Sequence, residues 1–368
     1  MTEFKFFPWA VVWETTFACN MRCLHCGTSA GKKRPDELTT DEALKLIDEL
    51  AELGTDNITL SGGEPLLRND WLTLAKRIKA RGMRPLMVTN GLAITEKIVD
   101  DFESVPMVTV GVSIDGMEKT HDYIRQREGS FVGAVGAIGM MSKRNAFGYC
   151  TVTQVSNINL EELDGLRQAL IDAGCHLWRI QLCTSTGRMK SNRELVLSLD
   201  NYPKLITKIL EFQKKNDEIR VDVGENIGYY GQLGTQLWGE SPYLGCYAGM
   251  RILGVESNGN IKGCLSMPEE FVEGNIREKS LTEIWNNPDG FAYNRKFTKE
   301  TAAGACHECK YLPLCRGGCT TTSVSASGCR ADNPYCIYQL EQVQGIPAPP
   351  DPEVVTQLLK QFQVPPTQ

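Results

Sequence analysis

The chain has 368 residues, room for two average domains, and its 42% hydrophobic and 23% charged residues give an ordinary globular balance. A net charge of −6 offers no electrostatic grip on a phosphate backbone, which excludes a nucleic-acid partner, and Lys32, Lys33 and Arg34 are a short basic run that reads as a solvated loop. No apolar run reaches the roughly 18 residues of a membrane span, which excludes a transmembrane protein of the helical kind.

Candidate strands fall at Val11–Thr16, Asn57–Ser61, Pro85–Thr89, Met107–Ser113, Gly148–Val155 and Leu177–Cys183. Candidate helices lie between and after them, at Thr39–Leu53, Asn69–Ala80, Thr95–Phe102, Phe131–Arg144, Leu160–Ala173 and Leu199–Lys215. The first helix opens on a capping-type Thr-Thr-Asp-Glu and closes at Gly54. Strands that read as apolar runs between helices are those of a parallel sheet covered on both faces. A complete barrel of this kind takes about eight units and about 250 residues, so about six units in about 210 residues predict an incomplete (β/α)6 barrel. An open doubly wound sheet is the alternative. From Val221 onward glycine is dense and long helical periods vanish, which predicts a second, metal-organised domain over 221–345 after a barrel domain over 1–220. The tail, 346–368, is rich in Pro and Gln and predicts one short helix at Glu353–Phe362.

Cysteine is the compositional outlier, with 14 residues. Met1 to Ala10 lacks the basic and apolar regions of a secretory signal. Many cysteines without secretion point to metal binding in a reducing, cytoplasmic compartment rather than to disulfides. Cys19, Cys23 and Cys26 form C-x3-C-x2-C on the loop after the first strand, the end of a barrel where chemistry is done. Thiolates at this spacing select zinc or iron–sulfur, and three ligands leave one position open, as a reactive site requires.

This motif resembles the signature of the radical S-adenosylmethionine (SAM) superfamily. The resemblance implies that the three cysteines hold three irons of a 4Fe–4S cluster. The cofactor's methionine end would chelate the fourth, and a 5′-deoxyadenosyl radical would abstract hydrogen from the substrate. His25 stands where the family usually carries an aromatic residue. Gly62, Gly63 and Glu64 follow the second strand and resemble the family's GGE motif, whose carboxylate meets the methionine amino group. Asn90 ends the third strand, in a turn or in the cofactor pocket. Ser113 and Asp115 end the fourth strand and would project together toward a ribose diol. Arg125 is the candidate for the methionine carboxylate, with a surface salt bridge as its rival. Gln154 and Gln181 are candidate cofactor or substrate contacts, or buried amides.

The second cysteine set contains C-x2-C-x5-C-x3-C from Cys306 to Cys319, preceded by Cys246 and Cys264 and followed by Cys336. It resembles the SPASM domain of radical SAM enzymes, so the chain reads as a partial TIM-like barrel followed by a small cysteine-rich iron–sulfur SPASM domain. The competing reading is zinc in a non-catalytic interaction protein. The resemblance implies two auxiliary iron–sulfur clusters: Cys306, Cys309, Cys315 and Cys336 at a distal one, and Cys246, Cys264 and Cys319 at a nearer one. Cys329 could complete the nearer set or replace Cys336. Cys150, Cys175 and Cys183 read as small buried hydrophobes.

The cysteine-loop sequence and the helix after it are similar to mycofactocin maturase and its subgroup. This implies a ribosomally made peptide or protein side chain as substrate, oxidised, crosslinked or decarboxylated. It also implies a reductant such as flavodoxin or ferredoxin. A strand starting near Val11 leaves no preceding peptide-recognition domain, so the peptide would enter the barrel mouth or be delivered by a separate protein. Small-molecule members that modify tetrapyrrole side chains are the alternative.

Overall fold

The computed structural model describes residues 5–105, 107–144, 146–215, 218–239 and 243–345; the helix expected at Glu353–Phe362 lies outside them. Seven parallel strands form first: β1 (Ala10–Thr16), β2 (Asn57–Gly62), β3 (Arg84–Thr89), β4 (Thr109–Ser113), β5 (Gly148–Val155), β6 (Leu177–Leu182) and β7 (Arg220–Val223). The helices are α1 (Thr40–Glu52), α2 (Trp71–Ala80), α3 (Glu96–Ser104), α4 (Glu118–Arg125), α5 (Ser130–Met141), α6 (Leu163–Asp172) and α7 (Tyr202–Lys215). Thr39 and Glu42 close a capping box at the start of α1, which fixes where that helix begins.

The sheet order runs β1 to β7 without a reversal. A doubly wound sheet reverses its order at a switch point, so this is barrel winding. Three further strands belong to the C-terminal region: β8 (Ile252–Val255), β9 (Asn260–Lys262) and β10 (Gly274–Asn275). β8 adds to the free side of β1 in parallel, pairing Val11 with Leu253 and Trp13 with Val255. β9 and β10 continue antiparallel. The ten-stranded sheet therefore crosses the boundary expected at 220–221, which falls within β7. Its two ends, β10 and β7, do not pair, so the barrel stays open.

Alternation divides each strand between core and lumen. In β6, Trp178, Ile180 and Leu182 are buried, while Arg179 and Gln181 occupy the other face. The core lies between the outer face of the sheet and its helices, where Trp13, Leu46, Ile47, Leu50, Ile58 and Trp178 are among its members. The inner face is left for polar side chains and the site.

Candidate active site

The loop carrying Cys19, Cys23 and Cys26 leaves β1 and is closed at its base by Cys19 N–H to Gly31 O at 2.9 Å and Gly31 N–H to Phe17 O at 2.8 Å. The three thiols are electrostatic neighbours, and burial pushes the Cys19 thiol up to about 11. All three line a cavity of about 270 Å³, together with Gly62, Gly63, Asn90, Ser113, Arg125 and Gln154. These residues reach it from the C-terminal ends of successive strands, the catalytic end of a barrel.

The paired glycines serve the cysteine loop. A Cβ on Gly62, whose φ is +136°, would lie 2.4 Å from Thr16 O, and one on Gly63 would lie 2.2 Å from Ala18 O. Gly63 and Glu64 N–H donate to Thr16 O and Ala18 O, each at 2.8 Å. The glycine pair thus permits the close approach of two loops.

Two residues expected to face the cofactor lie behind the cavity wall. Glu64 is fully buried and accepts from Thr89 Oγ1 at 2.7 Å, Asn90 N at 2.8 Å and Leu66 N at 3.2 Å. Its carboxylate shapes the β3 loop. Asp115 is also fully buried: β4 ends at Ser113, so the extended alternation that would pair the two side chains stops before Asp115. Asp115 Oδ2 accepts from His25 Nε2 at 2.8 Å and Arg125 Nε at 2.8 Å, and its Oδ1 accepts from Gln154 N at 2.9 Å. Arg125 and His25 hold the Asp115 carboxyl well below the usual carboxylate range despite its burial. Arg125 is itself buried rather than in a surface salt bridge. His25 Nδ1 is buried at the cavity without a partner among the described residues.

One participant had no motif. Arg188, beyond β6, donates from N to Cys26 O at 3.0 Å, from Nε to Cys23 O at 2.8 Å and from Nη1 to Ala30 O at 2.9 Å. Asn192 Nδ2 adds a bond to Leu24 O at 3.1 Å. The loop after β6 thus clasps the cysteine loop from across the mouth, and Arg188 and Arg125 both bring positive charge to the Cys23 thiol.

The C-terminal thiols separate into two electrostatic neighbourhoods. Cys246, Cys264 and Cys319 act on one another; Cys306, Cys309, Cys315 and Cys336 form the other set. Cys329 is exposed, just beyond the helix Thr320–Ser327 and its Gly328 cap. Cys150, Cys175 and Cys183 are buried in the barrel. The three-thiol set lines a second cavity of about 200 Å³. Gln154, Thr184 and Ser266 line both cavities, so the two are adjacent.

The surroundings of Cys246 fit an anionic metal–sulfur group. Arg316 is fully buried and Arg330 half-buried beside it; burial, and for Arg316 also Arg330, works against their charge, and neither has a carboxylate partner among the described residues. A buried cation with a second one beside it and no counter-charge is costly, and a thiolate-bound cluster would supply that charge. Tyr243 adds a buried hydroxyl without a partner among the described residues, next to Cys246 and Cys319. Thiols of one tetrahedral zinc lie about 3.8 Å apart. Among the described residues no three His, Cys, Asp or Glu side chains are placed to hold a single ion.

A barrel with three cysteines at its first loop, followed by a cysteine-rich region, is the architecture of one class of enzyme. Residues 13–170 match the model of the radical SAM superfamily and residues 246–310 that of the SPASM iron–sulfur cluster-binding domain, and the chain belongs to that superfamily of iron–sulfur, S-adenosylmethionine-dependent enzymes. Its relatives include an AdoMet-dependent heme synthase of Methanosarcina barkeri, 32% identical over 347 residues, which cover 90% of this chain and 97% of that one. Mycofactocin maturase MftC of Mycolicibacterium smegmatis is 29% identical over 317 residues, covering 85% and 78%. The fold is shared with Streptococcus suis SuiB bound to precursor peptide SuiA, at a TM-score of 0.69 and 15% identity over 90% of this chain and 74% of that one. No helix among the described residues is long and apolar enough to cross a membrane.

Proposed function

We propose that this radical SAM enzyme acts on a ribosomally made peptide or protein side chain at the junction of its two cavities. The observation that carries the peptide reading is the pair Gln154 and Gln181, which face each other in register across β5 and β6. Both line the cavity before the three-thiol set, and each amide offers a donor and an acceptor, as a peptide unit does.

Cys19, Cys23 and Cys26 would hold the radical cluster, and Gly62, Gly63, Asn90, Ser113, Arg125 and Gln154 would shape the S-adenosylmethionine pocket. Glu64 and Asp115 support that pocket from behind. When bound, cluster and cofactor supply a 5′-deoxyadenosyl radical that takes hydrogen from the substrate. Arg125, anchored on Asp115, keeps part of its guanidinium fork for a carboxylate. The cysteine sets 246/264/319 and 306/309/315/336 would hold two auxiliary clusters. We divide the chain into the barrel, which runs through β7 and so ends past the expected 220, the SPASM region up to 345 and a tail. A flavodoxin or ferredoxin would deliver electrons in the cytoplasm, and a separate protein could present the peptide.

A second reading is tetrapyrrole side-chain modification, favoured by the heme synthase relative matched over 97% of its length. Anaerobic reconstitution followed by assay of 5′-deoxyadenosine separates the two. A precursor peptide should accelerate its formation where a carboxylate-bearing iron tetrapyrrole does not; the reverse result establishes the second reading. Cys23→Ala should abolish formation in either case.

A further inference from the structure

Lys32, Lys33 and Arg34 read alone as a solvated loop, but folding brings a second basic loop against theirs. Residues 15–35, from the end of β1 to the turn before α1, carry Arg22, Lys32, Lys33 and Arg34 and no Asp or Glu. Residues 183–193, directly after β6, carry Arg188, Lys190 and Arg193 and again no carboxylate. The two stretches hold seven cations, so the rest of the chain stands at −13 where the whole stands at −6. Charge is thus sorted rather than mixed. The clasp brings the two stretches together: Arg22 Nη1 and Arg188 Nη1 both donate to Ala30 O, at 3.3 and 2.9 Å, and Asn192 Nδ2 donates to Leu24 O.

Two of the seven cations are engaged within the fold. Arg34 pairs with Glu14 at 3.1 Å, and Arg188 holds backbone carbonyls. Arg22, Lys32, Lys33, Lys190 and Arg193 are exposed, and none forms an ion pair among the described residues. The same five line neither of the two cavities, so a substrate seated there does not meet them. Tyr123 is 53% exposed near the end of α4, where Ile124 O accepts from Leu24 N at 2.8 Å, so an exposed ring adjoins the cysteine loop. Exposed aromatic rings and arginines are what protein interfaces are enriched in. Unpaired like charges on one part of an acidic chain do nothing for the fold, but they attract and orient an opposite charge. An extended polyanion would run off the patch onto the acidic remainder, whereas a small folded protein touches the patch alone.

We propose that the outer face of these two clasped loops is a docking surface for a small acidic protein, the electron donor of the reaction. This rests on the reading that Cys19, Cys23 and Cys26 hold the redox-active group, because a donor seated here meets the loop that carries them. One electron leaves the reduced donor, which is oxidised, and enters the group on the loop, which is reduced; no atom is transferred. The encounter is steered by charge and short-lived, as contacts of electron-transfer proteins are.

The test uses the full chain, reconstituted anaerobically, with a flavodoxin and an acidic ferredoxin as probes. Binding of at least one is expected, and it should weaken as salt rises, because exposed charges are screened. Lys32→Glu with Lys33→Glu, and separately Lys190→Glu with Arg193→Glu, should each slow association by about tenfold. Lys76→Glu with Lys79→Glu, an exposed pair on α2, makes the same change of net charge elsewhere and should slow it far less. With dithionite in place of the protein donor, all three double variants should form 5′-deoxyadenosine at the wild-type rate, because none of the changed residues borders either cavity. No 5′-deoxyadenosine from the wild type with dithionite fells the radical reading, whereas the docking surface is judged on the association rates. Binding of neither probe, or equal slowing by the α2 pair, overturns the docking surface. If the patch variants lose only a polyglutamate peptide or a single-stranded oligonucleotide, and neither protein, the acidic protein is overturned as the occupant.

Discussion

Asp115 makes no contact with the cavity, yet it organises three side chains or backbone groups that do: His25, Arg125 and Gln154 N–H. Removing it leaves a buried guanidinium uncompensated, a change that costs about 3–5 kcal/mol. Asp115→Ala should therefore lower stability by that order and weaken S-adenosylmethionine binding. Asp115→Asn should keep much of the packing and still lose affinity, measured by calorimetry on cluster-loaded protein. Unchanged affinity in both variants would mean that Arg125 needs no anchor. On the other side of Asp115, His121 Nδ1 accepts the Asp115 N–H at 2.9 Å, so it must be neutral. Burial and Arg125 lower it from 6.5 to about 4. The unfolded chain then binds more protons between these values, so this contribution is intact above about pH 6.5 and is lost as pH falls toward 4. The loss at pH 5 is on the order of 2 kcal/mol. Denaturant titrations at pH 7 and pH 5 should show it in the wild type, and His121→Gln should flatten the difference.

Elements differ in how far they can be read from the chain, and the difference follows from where their partners lie. β1 to β6 are apolar runs with helices between them, a local pattern, and the structure places them within two residues of their expected limits. β8 is four residues in a glycine-rich stretch, and its only local merit is apolarity; it becomes a strand because β1, about 240 positions earlier, offers an open edge. The cysteine loop, the glycine pair and the SPASM thiols are legible because their chemistry depends on residue type and spacing. The inward or outward direction of Glu64 and Asp115 depends on loops that only the folded chain brings together. Arg188 has the same difficulty: its contacts with Cys23 and Ala30 span 165 and 158 residues. Its role is nonetheless testable. Partners that orient a metal-binding loop from outside the ligand set carry about 10- to 100-fold in metal affinity or activity. Arg188→Ala should speed loss of the radical cluster to a chelator by that order, followed by absorbance in a variant lacking the SPASM thiols. Arg188→Lys should not rescue it, because an ammonium at the end of a flexible stem does not reproduce the two fixed, separated donors of the planar fork. Gly187→Ala should act similarly, since its φ is +52° and a Cβ would lie 2.3 Å from Gly27 O. Equal rates in all three would sink the clasp.

At the scale of the molecule, the open barrel is strapped from both flanks by the region that follows it. On one flank β8 covers the edge of β1, and Ser257 Oγ donates to the buried Glu14 Oε1 at 2.8 Å, beside Arg34 at 3.1 Å. Arg277 and Glu42 tie the same side to the start of α1. On the other flank Tyr202 Oη, at the start of α7, donates to Tyr335 O at 2.9 Å and accepts from Gly228 N at 3.0 Å. Without the C-terminal region, the β1 edge would be an unpaired parallel strand, a template for aggregation. Glu14, whose carboxyl burial already pushes up, would lose Ser257. The first cavity would also lose Leu265 and Ser266 from its wall. A chain ended after Val223 should therefore fail to unfold as one cooperative transition and should not bind S-adenosylmethionine after reconstitution, although it keeps every cysteine of the first motif. The full chain should unfold in a single transition, with Tyr202→Phe lowering its midpoint through the two lost bonds, each worth about 1 kcal/mol. A truncated barrel that folds sharply and binds the cofactor would show that the two regions are independent and that the strap is an accident of adjacency.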